Sequence, residues 1–181
     1  MKGERNAQVY QVGPHLFGTS STIPHWKTEE LIPSLKPFLL SLDTYKEKEL
    51  KIAFSLAIQP ESETQEEDHA KYRSLIEFEW ESATCRISVI PDTDSYLITI
   101  LAPNDPKEYT AYFFYGFTKG ILFLHATEAD AFVLNNILMM IYAFNTACSD
   151  TVLMHASVIK KDGKGYLFQG KSGTGKSTHS G

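Results

Sequence analysis

Cysteine is nearly absent: Cys85 and Cys148 are the two in a chain of 181 residues. That excludes a small disulfide-stapled scaffold and a cysteine-rich zinc site. Both sit in apolar surroundings; they could form one bridge, but read better as two buried, reduced thiols. Positive charge is also scarce. Seventeen Lys and Arg face 22 Asp and Glu, a formal net charge of −5. No nucleic-acid or membrane-surface partner is expected, since both need clustered positive charge. The longest apolar run, residues 131–144, is short for a membrane span and contains Asn135 and Asn136. Residues 1–11 are polar and lack the apolar centre of a secretory leader. Cytoplasmic residence is the resulting expectation. Neither an internal repeat nor a low-complexity tract stands out.

What is present describes an ordinary globular protein, 43% hydrophobic and 22% charged. Eleven Phe, nine Tyr and two Trp can fill a large core. The length suits one sizeable domain or two small ones.

Residues 9–12 read as a short strand ended by Gly13-Pro14, with 15–17 as its hairpin partner. Thr28 is placed to cap a helix over 29–42, with Glu29 and Glu30 in its first turn and a break or kink at Pro37. Residues 50–58 read as a strand, and the acidic stretch 60–68 as a solvated loop. Ile76, Phe78 and Trp80 then alternate with Glu77, Glu79 and Glu81. Period two marks a strand with one buried and one wet face. The three glutamates are a solvated face rather than a metal or acid–base array, having no nearby His. Strands follow over 85–89, 96–101, 109–115 and 121–125, with turns at 91–95 and 103–106, which makes a mainly antiparallel meander. The aromatic run Tyr109, Tyr112, Phe113, Phe114, Tyr115, Phe117 has only Lys119 as a basic neighbour, so it reads as sheet core and not as a base-stacking platform.

Asp130 is placed as the N-cap of a helix over 131–147. Asn135, Asn136, Asn145 and Thr146 fall on one half of its wheel, read as a partly exposed surface; the other half is apolar. A strand over 151–159, an Asp162-Gly163 hairpin turn and a strand over 166–169 follow. His155, on the first arm, reads as structural. Asp105 and Asp150 are the acids that closely follow apolar runs, and neither takes a catalytic assignment.

The second arm runs into Gly170-Lys171-Ser172-Gly173-Thr174-Gly175-Lys176-Ser177-Thr178, a Gly-x-x-x-x-Gly-Lys-Ser phosphate-binding pattern. Its chemistry explains its residues. Glycines let the backbone turn at positive φ and aim N–H groups inward at phosphate oxygens. Lys176 supplies a compact cation for the β/γ-phosphates, and the Ser177 hydroxyl can ligate Mg²⁺. ATP and Mg²⁺ are the expected cofactors. A helix should begin near Thr178 and add its N-terminal partial charge. The sequence stops at Gly181, so little turnover is expected of this piece alone.

The order apolar helix, Leu153-Met154-His155-Ala156-Ser157, Asp-Gly hairpin, strand and Ser-Gly-Thr-Gly-Lys-Ser resembles the HPr kinase/phosphorylase family and the related phosphoenolpyruvate carboxykinases. The resemblance spans residues 130–181. Together with the strands read above, it implies an α+β chain: a β-rich region over 1–127 with few helices and of unassigned role, then the start of an α/β nucleotide-binding core over 128–181. It implies an ATP-dependent phosphotransferase, with catalytic acids beyond the loop. Lys171 and Thr178 replace acidic residues of the HPr kinases, so the acceptor should not be HPr itself. Expected partners are a nucleotide and an unidentified small-molecule or protein acceptor, with self-association left open. Two other readings compete: an ABC-type transport ATPase, in which far fewer residues precede the loop, and a non-catalytic β-rich binding or regulatory module.

Overall fold

The computed structural model describes residues 6–41, 51–63, 69–80, 82–154 and 156–170. The chain divides into two compact units, Met1–Asp150 and Thr151–Gly181.

The larger unit is built on one nine-stranded sheet. Strands β1 (Asn6–Val12) and β2 (His15–Ser21) form the expected hairpin. The helix expected over 29–42 is reduced to one turn, α1 (Thr28–Leu31). Pro33 and Pro37 lie in the 3₁₀ segment that follows, Pro33–Phe38. Proline has no N–H to donate and its ring clashes with the preceding turn, so an α-helix cannot continue there. Thr28 is the first helical residue, not the cap; its hydroxyl lies 2.8 Å from that of Thr19. The two-residue β3 (Leu39–Leu40) then pairs with β1.

β4 (Ile52–Pro60) lies parallel to β2 and also parallel to β9 (Lys119–Leu124). From β5 (Arg73–Trp80) through β6 (Ala83–Val89), β7 (Tyr96–Leu101), β8 (Glu108–Phe114) and β9 the sheet is the antiparallel meander its alternation predicted. The sheet as a whole is therefore mixed, in the order β3-β1-β2-β4-β9-β8-β7-β6-β5. Parallel neighbours need a long crossover. Residues 22–51 make the one from β2 to β4, and the meander itself makes the one from β4 to β9.

Helix α2 (Asp130–Thr146) covers one face of this sheet. Val133, Leu134, Ile137, Leu138, Ile141 and Tyr142 recur at two per turn and bury against Phe17, Phe54, Leu56, Ile98, Phe113 and Leu122. Each such side chain gains about 1.5–3 kcal/mol on burial, so the stripe contributes on the order of 10 kcal/mol before ordering costs. Of the polar half, expected to be partly exposed, Asn135 and Asn145 are half-buried, while Asn136 and Thr146 are almost inaccessible. The Thr146 hydroxyl donates to the Tyr142 carbonyl at 2.8 Å, and Asn145 Nδ2 to the Phe117 carbonyl at 3.1 Å. Bonding to local backbone lets Thr146 be buried with its hydroxyl paired, whereas the buried Asn136 Oδ1 has no such partner among the described residues.

This placement overturns the predicted fold class. The helix assigned to an α/β nucleotide-binding core is the lid of the β-sheet. The described chain is mostly β with a single helix of seven or more residues, and it is not a P-loop α/β core. By length and composition Asp130–Ser149 could also span a bilayer, but its apolar stripe is already buried on the sheet.

Gly120 shows how tightly the sheet and its face are fitted. A β-carbon there would lie 2.3 Å from the ring of Phe113, which is itself fully buried. Gly120→Ala should cost about 1–3 kcal/mol, lowering the melting temperature by about 2–4 °C per kcal/mol; an unchanged midpoint would contradict this packing.

The cysteines part company in the fold. Both are free, Cys85 buried and Cys148 exposed, so the expectation of two buried thiols holds for one. Burial pushes the Cys85 thiol up to about 11, and its Sγ lies 3.9 Å from Met140 Sδ. At pH 8 a thiol reagent should label Cys148 quickly and Cys85 only on unfolding. Two fast equivalents in the native protein would disprove the burial.

Candidate functional site

In the smaller unit, β10 (Ser157–Lys161) and β11 (Lys164–Phe168) form an antiparallel hairpin with Ser157 opposite Phe168. The first arm is shorter than the strand expected over 151–159. The turn is the two-residue Asp162-Gly163, with φ of 51° and 76°. Both angles are positive, the geometry that matches hairpin twist and favours Asp-Gly. β11 delivers the chain through Gln169 to Gly170, the one motif residue among those described. Lys171, Ser172, Gly173, Thr174, Gly175, Lys176, Ser177 and Thr178 lie outside the described residues, as do His155 and Glu81. The hairpin is apolar but exposed, with Val158 63% and Leu167 51% accessible.

The larger unit holds a polar cluster that the sequence reading did not assemble. It joins the β7–β8 turn, the end of β9 and the start of α2. The Tyr109 hydroxyl lies 3.0 Å from Asp105 Oδ2 and 3.1 Å from Asp130 Oδ1, and it contacts Thr127 Oγ1. Thr127 donates to Asp105 Oδ2 at 2.9 Å, and the Lys107 backbone N–H to Asp105 Oδ1 at 3.0 Å. Asp130 accepts the backbone N–H groups of His125 and Ala126 at 3.3 and 3.1 Å. Asp130 is thus helical and caps the preceding turn; Ala129 holds the N-cap position it was expected to fill.

His125 borders this cluster. Its side chain is 5% exposed, and Nδ1 lies 2.8 Å from Glu61 Oε2, though off the axis of a hydrogen bond. Its ring stands edge-on to Tyr109 at 4.3 Å. Lys107 Nζ reaches the same Glu61 oxygen at 3.3 Å. Burial, with two carboxylates beside it, pushes the Tyr109 hydroxyl up and keeps it protonated. That suits a strut and not a nucleophile. A cleft of about 540 Å³ adjoins it, lined by Asn104, Asp105, Thr127 and Phe132 among others. No signal in the sequence joins Asp105 to Asp130; they are 25 positions apart and meet through the sheet.

The remaining candidates fall only partly as expected: Tyr115 of the aromatic run is 70% exposed, and on β5 the face of Ile76 and Trp80, expected to be buried, is open as well. Tyr109, Tyr112 and Phe113 are buried in the sheet. Glu77 pairs with Arg86 at 2.7 Å. No three His, Cys, Asp or Glu among the described residues come together as a metal site. No family model, curated protein or solved structure matches the chain.

The cluster's carboxylates make stability depend on pH. Contact with His125 holds Glu61 below its ordinary 4.5, and the Lys107 N–H holds Asp105 below its ordinary 3.8. A carboxyl depressed in the folded state stabilises above its unfolded pKa, and that stabilisation is lost as pH falls through the folded one. The melting temperature should therefore fall as pH drops below about 4.5. The fall should be shallower in Asp105→Asn, whose protein should also be less stable at pH 7. An identical acid limb in the variant would contradict this assignment.

Proposed function

We propose that the chain binds a nucleoside triphosphate with Mg²⁺ through residues 170–178, as part of an ATP-dependent phosphotransferase similar to the HPr kinase group. The observation that carries it is the β10–β11 hairpin. Its second strand ends two residues before the loop's first glycine, the strand-then-glycine entry that a phosphate loop requires. Glycines at 170, 173 and 175 suit a backbone that wraps phosphate closely. Lys176 neutralises charge on the β/γ-phosphates, and the Ser177 hydroxyl holds the metal. Transfer of a phosphoryl group depends mainly on positioning and charge neutralisation, which such a loop supplies. The resemblance is one of sequence over residues 130–181 and not of fold, since α2, which it takes in, packs on the nine-stranded sheet. The acceptor is a small molecule or a protein other than HPr, and the setting is cytoplasmic, where the nucleotide is abundant.

Isothermal titration with MgATP tests this on the chain as it stands. Saturable binding is expected, stronger with Mg²⁺ than with EDTA. Lys176→Ala should weaken it roughly ten- to a hundredfold, the loss of one charge-assisted contact of about 1.5–3 kcal/mol. Absence of binding, or binding indifferent to Lys176→Ala, would remove the proposal.

A further inference from the structure

The sheet has two ends, and they differ. At one, β3 is two residues long. At the other, β5 is eight residues long and pairs among the described residues only with β6. An end strand of that length presents a row of unpaired N–H and C=O groups, a template for another strand. Its side chains stay unusually open for a sheet so well covered elsewhere. Leu75 is 51%, Ile76 52% and Trp80 39% exposed.

Two features protect β5, and both are selective. The register with β6 shifts between Ser74 and Ile76, so Leu75 is a bulge and the regular edge is residues 76–80. Within it, Ile76, Phe78 and Trp80 share one face, and Glu77 and Glu79 the other. Arg86 is already engaged by Glu77 at 2.7 Å and also feels Glu108. Glu79 has no ion-pair partner among the described residues. The wet face of this edge therefore carries uncompensated negative charge.

Opposed residues of antiparallel strands share a face. A second copy of β5 centred on Glu77, Phe78 or Glu79 sets glutamate against glutamate. Centred on Ile76, it runs into the bulge at Leu75. A parallel copy in register stacks Glu on Glu. The edge thus rejects its own copy while its backbone and its apolar side chains remain available.

We infer that β5 is a docking edge for an extended segment of a partner protein whose residues alternate basic and apolar. Such a strand would complete the ladder along 76–80, lay its apolar residues beside Ile76, Phe78 and Trp80, and set its cations against Glu77 and Glu79. This is the strand-addition mode, in which backbone bonds give affinity and alternate side chains give selectivity. The inference is independent of the phosphate loop.

The probe is the capped peptide Lys-Val-Lys-Ile-Lys-Val-Lys, titrated into the full chain while Trp80 emission is followed. Two controls share its length: the same residues with the lysines in one block, and Glu-Val-Glu-Ile-Glu-Val-Glu. The alternating basic peptide should bind saturably with a blue shift and beat both controls by about tenfold or more, as a few cross-strand pairs allow. Glu79→Lys should lose about tenfold for the basic peptide and gain binding of the acidic one. Should Glu79→Lys fail to fold, Glu79→Gln must still weaken the basic peptide. Equal binding of the block peptide would mean bulk electrostatics and overturn the inference, as would indifference to the Glu79 variants. Self-association in sedimentation that Ile76→Lys abolishes would overturn it too, making the edge an interface between copies.

Discussion

Six apolar side chains that α2 lays on the sheet at two per turn are the contact on which the larger unit depends. A sheet with one apolar face has to bury it, and a lone helix has to bury its stripe. Each supplies what the other lacks, and the central strands β2, β4, β9, β8 and β7 lie under that contact. The polar residues of α2 follow from the same constraint. Thr146, sealed from water, bonds to a carbonyl of its own helix, and the half-buried Asn145 to carbonyls of its helix and of the loop after β8.

The cluster around Tyr109 fixes where that helix begins. Asp130 holds the two N–H groups ahead of the helix, while Tyr109 and Thr127 tie the same turn to Asp105. A second polar tie works at the β1 end of the sheet. Glu29 accepts from Tyr10 Oη at 3.0 Å and from Gln8 Nε2, pinning α1 to β1. Burial together with the Glu29 carboxylate raises the Tyr10 hydroxyl. Both arrangements pair the Tyr109, Asp130, Tyr10 and Glu29 groups, and so they specify how elements dock more than they add stability.

The two units present different chemistry. The larger offers a covered face, a polar strut and one long acidic edge. The smaller offers a hairpin with exposed apolar side chains leading to a phosphate-loop sequence. A two-stranded hairpin with both faces apolar has little stability of its own, so its apolar residues need a covering surface. In the larger unit the open edge is β5, where charge of one sign limits what can pair.

The sequence by itself determined the local elements whose signal is local. Alternation placed β5 through β9, Asp162-Gly163 placed the hairpin turn, and the apolar period placed α2 almost to the residue. It also carries the phosphate-loop pattern, read whole from nine consecutive positions. Only the tertiary structure decided which sheet α2 covers, that β2, β4 and β9 run parallel, and that Asp105 and Asp130 share the Tyr109 hydroxyl. Those depend on contacts between residues far apart in the chain, and no periodicity records them. It also decided that α1 is a single turn, because Pro33 and Pro37 outweigh a favourable start. The fold class went wrong for the same reason: a helix just ahead of a phosphate-loop sequence reads as part of its core, but the larger apolar surface lies on the strands before it.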